Sequence, residues 1–197
     1  MTTRTPRVPT SSLHEAMRAA LVAQPIPITL VAVLVVVVAA VATRSVSATL
    51  AHLPLAVVGA AVVVTDATSH TIPRQLVYLG IGTGVPAMAI LAVVDGWTSF
   101  GRAIAGAAAL GVVYLVMVLA HPSGLGAGDA RFAVLLGLYA GWLGWTSVVI
   151  TGALPFLLAL APTAWALARR RRERRIALGP YMLAAYLIAL GASGAGL

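Results

Sequence analysis

Seven apolar runs, each close to the length of a bilayer crossing, dominate this chain: roughly residues 26–43, 46–65, 75–94, 103–120, 130–146, 147–168 and 177–195. A helix rising about 1.5 Å per residue crosses about 30 Å of hydrocarbon in about 20 residues. Charged residues make up only 9% of the sequence, against about 25% in a soluble domain. Such a chain cannot cover a water-exposed surface, so a soluble enzyme is excluded. The expected fold is all-α, a polytopic membrane bundle of about seven transmembrane helices. The count falls to six if the Gly144–Ser147 stretch fails to separate the fifth and sixth runs.

Residues 1–25 read as a polar tail followed by an interfacial helix, and residues 26–197 as the membrane-embedded domain. Ser12 to Glu15 has capping-box spacing, and Leu13, Met17 and Leu21 follow at four-residue intervals. This pattern predicts a short helix over 13–24 lying on the membrane surface. Pro54, Pro86, Pro155 and Pro162 fall inside apolar runs, where neighbouring helices tolerate kinks.

Charge sets the orientation. All 13 basic residues are arginines. With the N-terminus inside, Arg4, Arg7, Arg18, Arg74, Arg131 and the six arginines of 169–175 lie on the cytoplasmic side, leaving Arg44 and Arg102 outside. The positive-inside rule favours this arrangement. The arginine run is then a topology anchor beside anionic headgroups of the lipid bilayer, and no nucleic-acid partner is expected.

The sequence holds no cysteine, which removes thiolate metal sites, disulfides and cysteine nucleophiles. Of five acids, Glu15 and Glu173 sit among arginines and Asp95 opens an outside loop. Asp66 and Asp129 differ, since each stands at the cytoplasmic end of a long apolar run. The surrounding stretches are VVVTDATSHTIPRQLVYLG and HPSGLGAGDARFAVLLGLYAGWLG. In the first, Ile72-Pro73 follows Asp66 by six and seven residues. In the second, Gly126-Ala127-Gly128-Asp129 is followed after one residue by Arg131.

These two stretches resemble the type IV prepilin peptidases, which are GxGD-type intramembrane aspartic peptidases. ALGPYMLAAYLIAL, with Gly179 and Pro180 after the arginine run, looks like that family's final span. The resemblance covers most of the chain from about residue 50. It implies a GxGD peptidase-like bundle with Asp66 and Asp129 as the catalytic pair, and with Gly126, Gly128, Ile72, Pro73 and Arg131 close to substrate. It implies a prepilin-like precursor as partner, carrying a basic leader ahead of a hydrophobic helix. Cleavage would occur at the cytoplasmic face of the cytoplasmic (inner) membrane. Arg74 replaces the usual Asn or Asp after Ile-Pro, and Arg131 the usual lysine. Bifunctional relatives carry a cysteine-containing insert and methylate the new N-terminus. This chain has neither cysteine nor insert, so it resembles the short tight-adherence pilus enzymes, and cleavage without methylation is expected.

The chemistry of the residues agrees. Amide hydrolysis by carboxylates needs one ionised to deprotonate water and one protonated to polarise the carbonyl. Glycines before Asp129 let an extended peptide approach closely. Proline fixes the chain where it re-enters the membrane. Asp66 would lie near a negative helix C-terminus and Asp129 near a positive N-terminus, which predicts that the proton shared by the pair resides on Asp66.

Other readings compete. His70 and His121 share loops with the two aspartates, but no H-x-x-x-H spacing supports a metal; neither metal nor cofactor is expected. A proton- or ion-coupled transporter would use the aspartates as a relay, and an inactive assembly protein would use neither. Gly80–Gly84 and Gly137–Gly141 fit G-x-x-x-G, read as packing within the bundle, with a homodimer contact as the alternative use.

Overall fold

The computed structural model describes residues 25–121, 125–168 and 177–195. The interfacial helix expected over 13–24 and the arginine run of 169–175 lie outside the described residues. Helices follow in the order α1 (Pro25–Thr43), α2 (Val46–Ala51), α3 (Leu53–Ser69), α4 (Arg74–Asp95), α5 (Trp97–Ala120), α6 (Ala127–Leu143), α7 (Trp145–Ala168) and α8 (Gly179–Gly194). Every apolar run is helical, and no strand occurs among the described residues. Five segments are long and apolar enough to cross a membrane: α1, α2 with α3, α4, α5 and α7. Helices α6 and α8 are shorter, at 17 and 16 residues. The protein is an all-α polytopic membrane protein.

The second run differs in detail from the expected continuous span. Ser45 caps α2 through its hydroxyl, which accepts the Ala48 N–H at 3.3 Å. Helix α2 then ends at His52, and Pro54 falls in the first turn of α3. Proline lacks the N–H that a helix interior uses, and in the first turn of α3 none is needed. His52 is only 1% exposed. Its two ring nitrogens are bonded, Nδ1 to the Ala48 carbonyl at 2.6 Å and Nε2 to the Tyr186 hydroxyl at 2.8 Å.

Helix α7 fits the bilayer by its aromatics. Trp145 and Trp165 are both exposed, and twenty helical residues separate them by about 30 Å, the hydrocarbon thickness. Tryptophan at both levels forms the interfacial belt.

At the centre is α6, whose Phe132, Leu135, Leu136, Leu138 and Tyr139 are all buried. It meets α5 backbone to backbone. A methyl group on Gly106 would lie 2.6 Å from the Gly137 carbonyl oxygen and 2.8 Å from Gly141 Cα. The Gly80–Gly84 pair of α4 also faces α6, where added methyls would strike Leu135 and Tyr139. Both G-x-x-x-G faces are therefore used inside the chain. Arg102 ties off the end of α6, donating from Nε to the Gly141 carbonyl at 2.9 Å and from a terminal nitrogen to the Trp142 carbonyl at 2.8 Å.

Gly106→Ala should force α5 and α6 apart. Overpacking of this kind costs about 1–3 kcal/mol. Thermal unfolding in detergent should show a lowered midpoint, whereas an unchanged midpoint would mean that the helices do not meet here.

Candidate active site

Asp66 stands one turn before the end of α3. That turn is polar, yet its hydroxyls are satisfied within the helix: Thr65 bonds the Ala61 carbonyl at 2.8 Å, Thr68 that of Val64 at 2.8 Å and Ser69 that of Thr65 at 2.7 Å. These groups make no demand on the neighbouring carboxyl. The helix closes at His70, in the left-handed conformation (φ 50°), whose N–H bonds the Asp66 carbonyl at 2.9 Å. His70 also lies close enough to act electrostatically on the Asp66 side chain. Three residues later Pro73 is the N-cap of α4, with extended backbone. Ile-Pro thus sets the re-entry one residue before the first turn.

Asp129 is the third residue of α6. Its Oδ2 accepts the N–H of Gly126, the N-cap, at 3.0 Å. A helix N-terminus leaves such N–H groups unpaired, and the carboxylate satisfies one of them. Asp129 is half-buried, and Gly126 and Ala127 beside it are exposed.

The Asp66 end of α3 and the Asp129 start of α6 lie at one end of the bundle, with Asp66 within electrostatic range of Asp129. The loops also meet. A methyl group on Gly128 would lie 2.8 Å from Ile72 Cβ and 3.5 Å from the Ile72 carbonyl oxygen. Ile72 therefore rests on the Gly-Ala-Gly-Asp turn. Of the residues singled out in the sequence, Asp66, Ile72, Pro73, Gly126, Gly128 and Asp129 converge on this corner. Arg131 lies two residues beyond Asp129, about 200° further around α6, and is half-buried there. Arg74 is exposed at the start of α4. Among the described residues no three His, Asp or Glu side chains gather as a metal site would require.

One partner was not legible as such. The Gly179 N–H, at the start of α8, donates to Asp66 Oδ2 at 2.8 Å, and Asp66 is only 5% exposed. The bond spans 113 residues of sequence. Its only sequence trace is Gly179-Pro180 opening the last apolar run. It also corrects the expectation from helix dipoles. Asp66 meets the positive end of α8 as well as the negative end of α3, so each aspartate has one helix N-terminus and the predicted electrostatic difference shrinks. Each carboxyl is tied by Oδ2, and among the described residues Oδ1 of Asp66 accepts no hydrogen bond.

The meeting of the two loops is directly testable in a chain without cysteine. Ile72→Cys combined with Gly128→Cys should form an intramolecular disulfide under mild oxidation, seen as a mobility shift reversed by reductant. Failure to crosslink while either single variant remains reactive to a maleimide would separate the motifs.

Comparison with curated proteins and with solved structures gives no match. The family model of the type IV leader peptidases matches residues 53–164, more than half of the chain, and that stretch carries both aspartates and the loops that join them. The chain belongs to the type IV leader peptidase family, membrane proteases whose substrates are prepilins.

Proposed function

We propose that this protein is an aspartic-type endopeptidase that removes the leader from prepilin-like precursors at the cytoplasmic face of the cytoplasmic membrane, without methylating the product. The observation that supports this reading is that Asp66 and Asp129 stand at one end of the bundle, in two loops that meet where Ile72 packs on Gly128. Asp129, beside exposed backbone, activates water. Asp66, buried and held by Gly179, presents its proton to the scissile carbonyl. The backbone at Gly126 and Ala127 is exposed on this turn, where an extended peptide can approach. The precursor's hydrophobic helix stays in the bilayer and its basic leader lies at the surface, so the bond between them reaches this corner.

The orientation follows from the arginines: eleven on the side of the aspartates against Arg44 and Arg102 opposite. Absence of any cysteine supports cleavage without methyl transfer. Residues 26–197 form the peptidase unit in this reading, with residues 1–25 as its tail and surface helix.

Asp66→Asn and Asp129→Asn should each lower leader cleavage by more than about 10³-fold while membrane insertion is unchanged, because groups acting as a unit fail together. The measurement is co-expression with a precursor followed by a gel shift. Activity retained in either variant would reject the aspartic mechanism, and loss of activity to a chelator in its place would point to metal chemistry. Wild-type protein inactive on every such precursor would favour an assembly role.

Reporter fusions test the orientation. A fusion within residues 95–101 should report external and one after residue 175 cytoplasmic. The same side for both would remove the basis for a cytoplasmic site.

A further inference from the structure

We propose that Gly179 is a positioning residue for the reaction: its N–H fixes the Asp66 carboxyl, and its missing side chain leaves the space that this carboxyl occupies. The inference rests on the catalytic reading of Asp66 given above.

Two independent geometric facts meet at this residue. The first is the 2.8 Å hydrogen bond from the Gly179 N–H to Asp66 Oδ2, both groups being buried. At 2.8 Å this is a well-formed N–H···O hydrogen bond. The second is steric. A methyl group on Gly179 would lie 2.9 Å from the same Oδ2, 3.3 Å from Asp66 Cβ and 3.4 Å from its Cγ. Any larger residue at 179 must displace the carboxyl.

The local sequence suits this role. The first turn of a helix leaves its N–H groups without partners inside the helix. Leu178 is the N-cap of α8, and the first bond within the helix runs from the Met182 N–H to the Leu178 carbonyl. Pro180 has no N–H to offer. Gly179 is thus a donor with no partner in its own helix, at a point where the chain returns into the bundle. Asp66 supplies the acceptor, and in exchange one of its oxygens is fixed. Oδ1 stays free of hydrogen bonds among the described residues, which leaves one oxygen to serve the substrate while the other is anchored.

The role predicts a division between kcat and KM. Gly179 is buried against Asp66, so substrate affinity should survive its loss. A misplaced catalytic group, by contrast, costs up to about 10²-fold in rate for about 1 Å. Gly179→Ala should therefore lower kcat about 10- to 100-fold with KM changed by less than about twofold. It should also shift the infrared carboxyl band that Asp66→Asn identifies by its disappearance. Wild-type kcat, or an unmoved band, would overturn the proposal. A second measurement does not depend on the fold of that variant. Hydrogen exchange of the Gly179 amide, followed by mass spectrometry on the intact protein in micelles, should quicken by at least about tenfold in Asp66→Ala, which removes the acceptor. Equal exchange in both proteins would mean that the bond does not exist. The two readings fail separately. Full activity of Asp66→Asn sinks the catalytic assignment and this role with it, whereas an inactive Asp66→Asn beside a fully active Gly179→Ala sinks the positioning role alone.

Discussion

Hydrocarbon offers no hydrogen bonds, so a chain inside it must satisfy every polar backbone group internally. This protein obeys by confining its backbone to helices and folding side-chain hydroxyls back onto them, as Thr29 does on the Pro25 carbonyl and Thr83 on that of Leu79, at 2.8 and 2.7 Å. Unpaired backbone is then available only at helix ends. The corner holding Asp66 and Asp129 is assembled from four of them: the end of α3 and the starts of α4, α6 and α8. Peptide chemistry needs water, free N–H groups and irregular backbone. The bilayer permits these together only where the chain leaves it.

The helix ends stay in register because α6 ties the bundle together. Its glycines meet those of α5 without intervening side chains, and Arg102 closes its far end. Along the same helix the Tyr139 hydroxyl donates to the Ala51 carbonyl at 3.2 Å, beside the His52–Tyr186 bond. That polar knot lies about 21 Å along α3 from Asp66, fourteen residues at about 1.5 Å each. It links α2, α6 and α8, so two of the helices that present groups to the corner are also joined at depth. A site on rigid elements holds its geometry better than one on loops alone.

How much of this was legible in the sequence depends on the range of the interaction. The apolar runs are local and all became helices, and the two aspartates with Ile72-Pro73 and Gly126-Ala127-Gly128 stood out because their pattern is contiguous. The break at His52 was not legible, since one histidine inside an apolar run says nothing of a hydroxyl 134 residues away that accepts or donates its bond. Pro54 was visible but ambiguous, because proline suits a first turn as well as a kink. Gly179 was noticed only as the opening of a span. Its contact with Asp66 depends on the way α8 returns beside α3, which no local periodicity encodes.

Dipoles alone do not distinguish the two carboxyls, since each meets a helix N-terminus through one oxygen. Access does. Asp66 is almost sealed, wedged against Gly179, whereas Asp129 is half-buried beside exposed Gly126 and Ala127. Amide hydrolysis by two carboxyls needs one that meets incoming water and one that meets the carbonyl. The exposed turn is the side open to solvent, so Asp129 takes the first role in the proposed mechanism. The remaining role demands a fixed direction more than access. A carboxyl held by one backbone N–H, with its second oxygen unbonded, is suited to it. In the proposed mechanism the same backbone bond that satisfies the buried N–H at the start of α8 also supplies the rigidity that the chemistry requires.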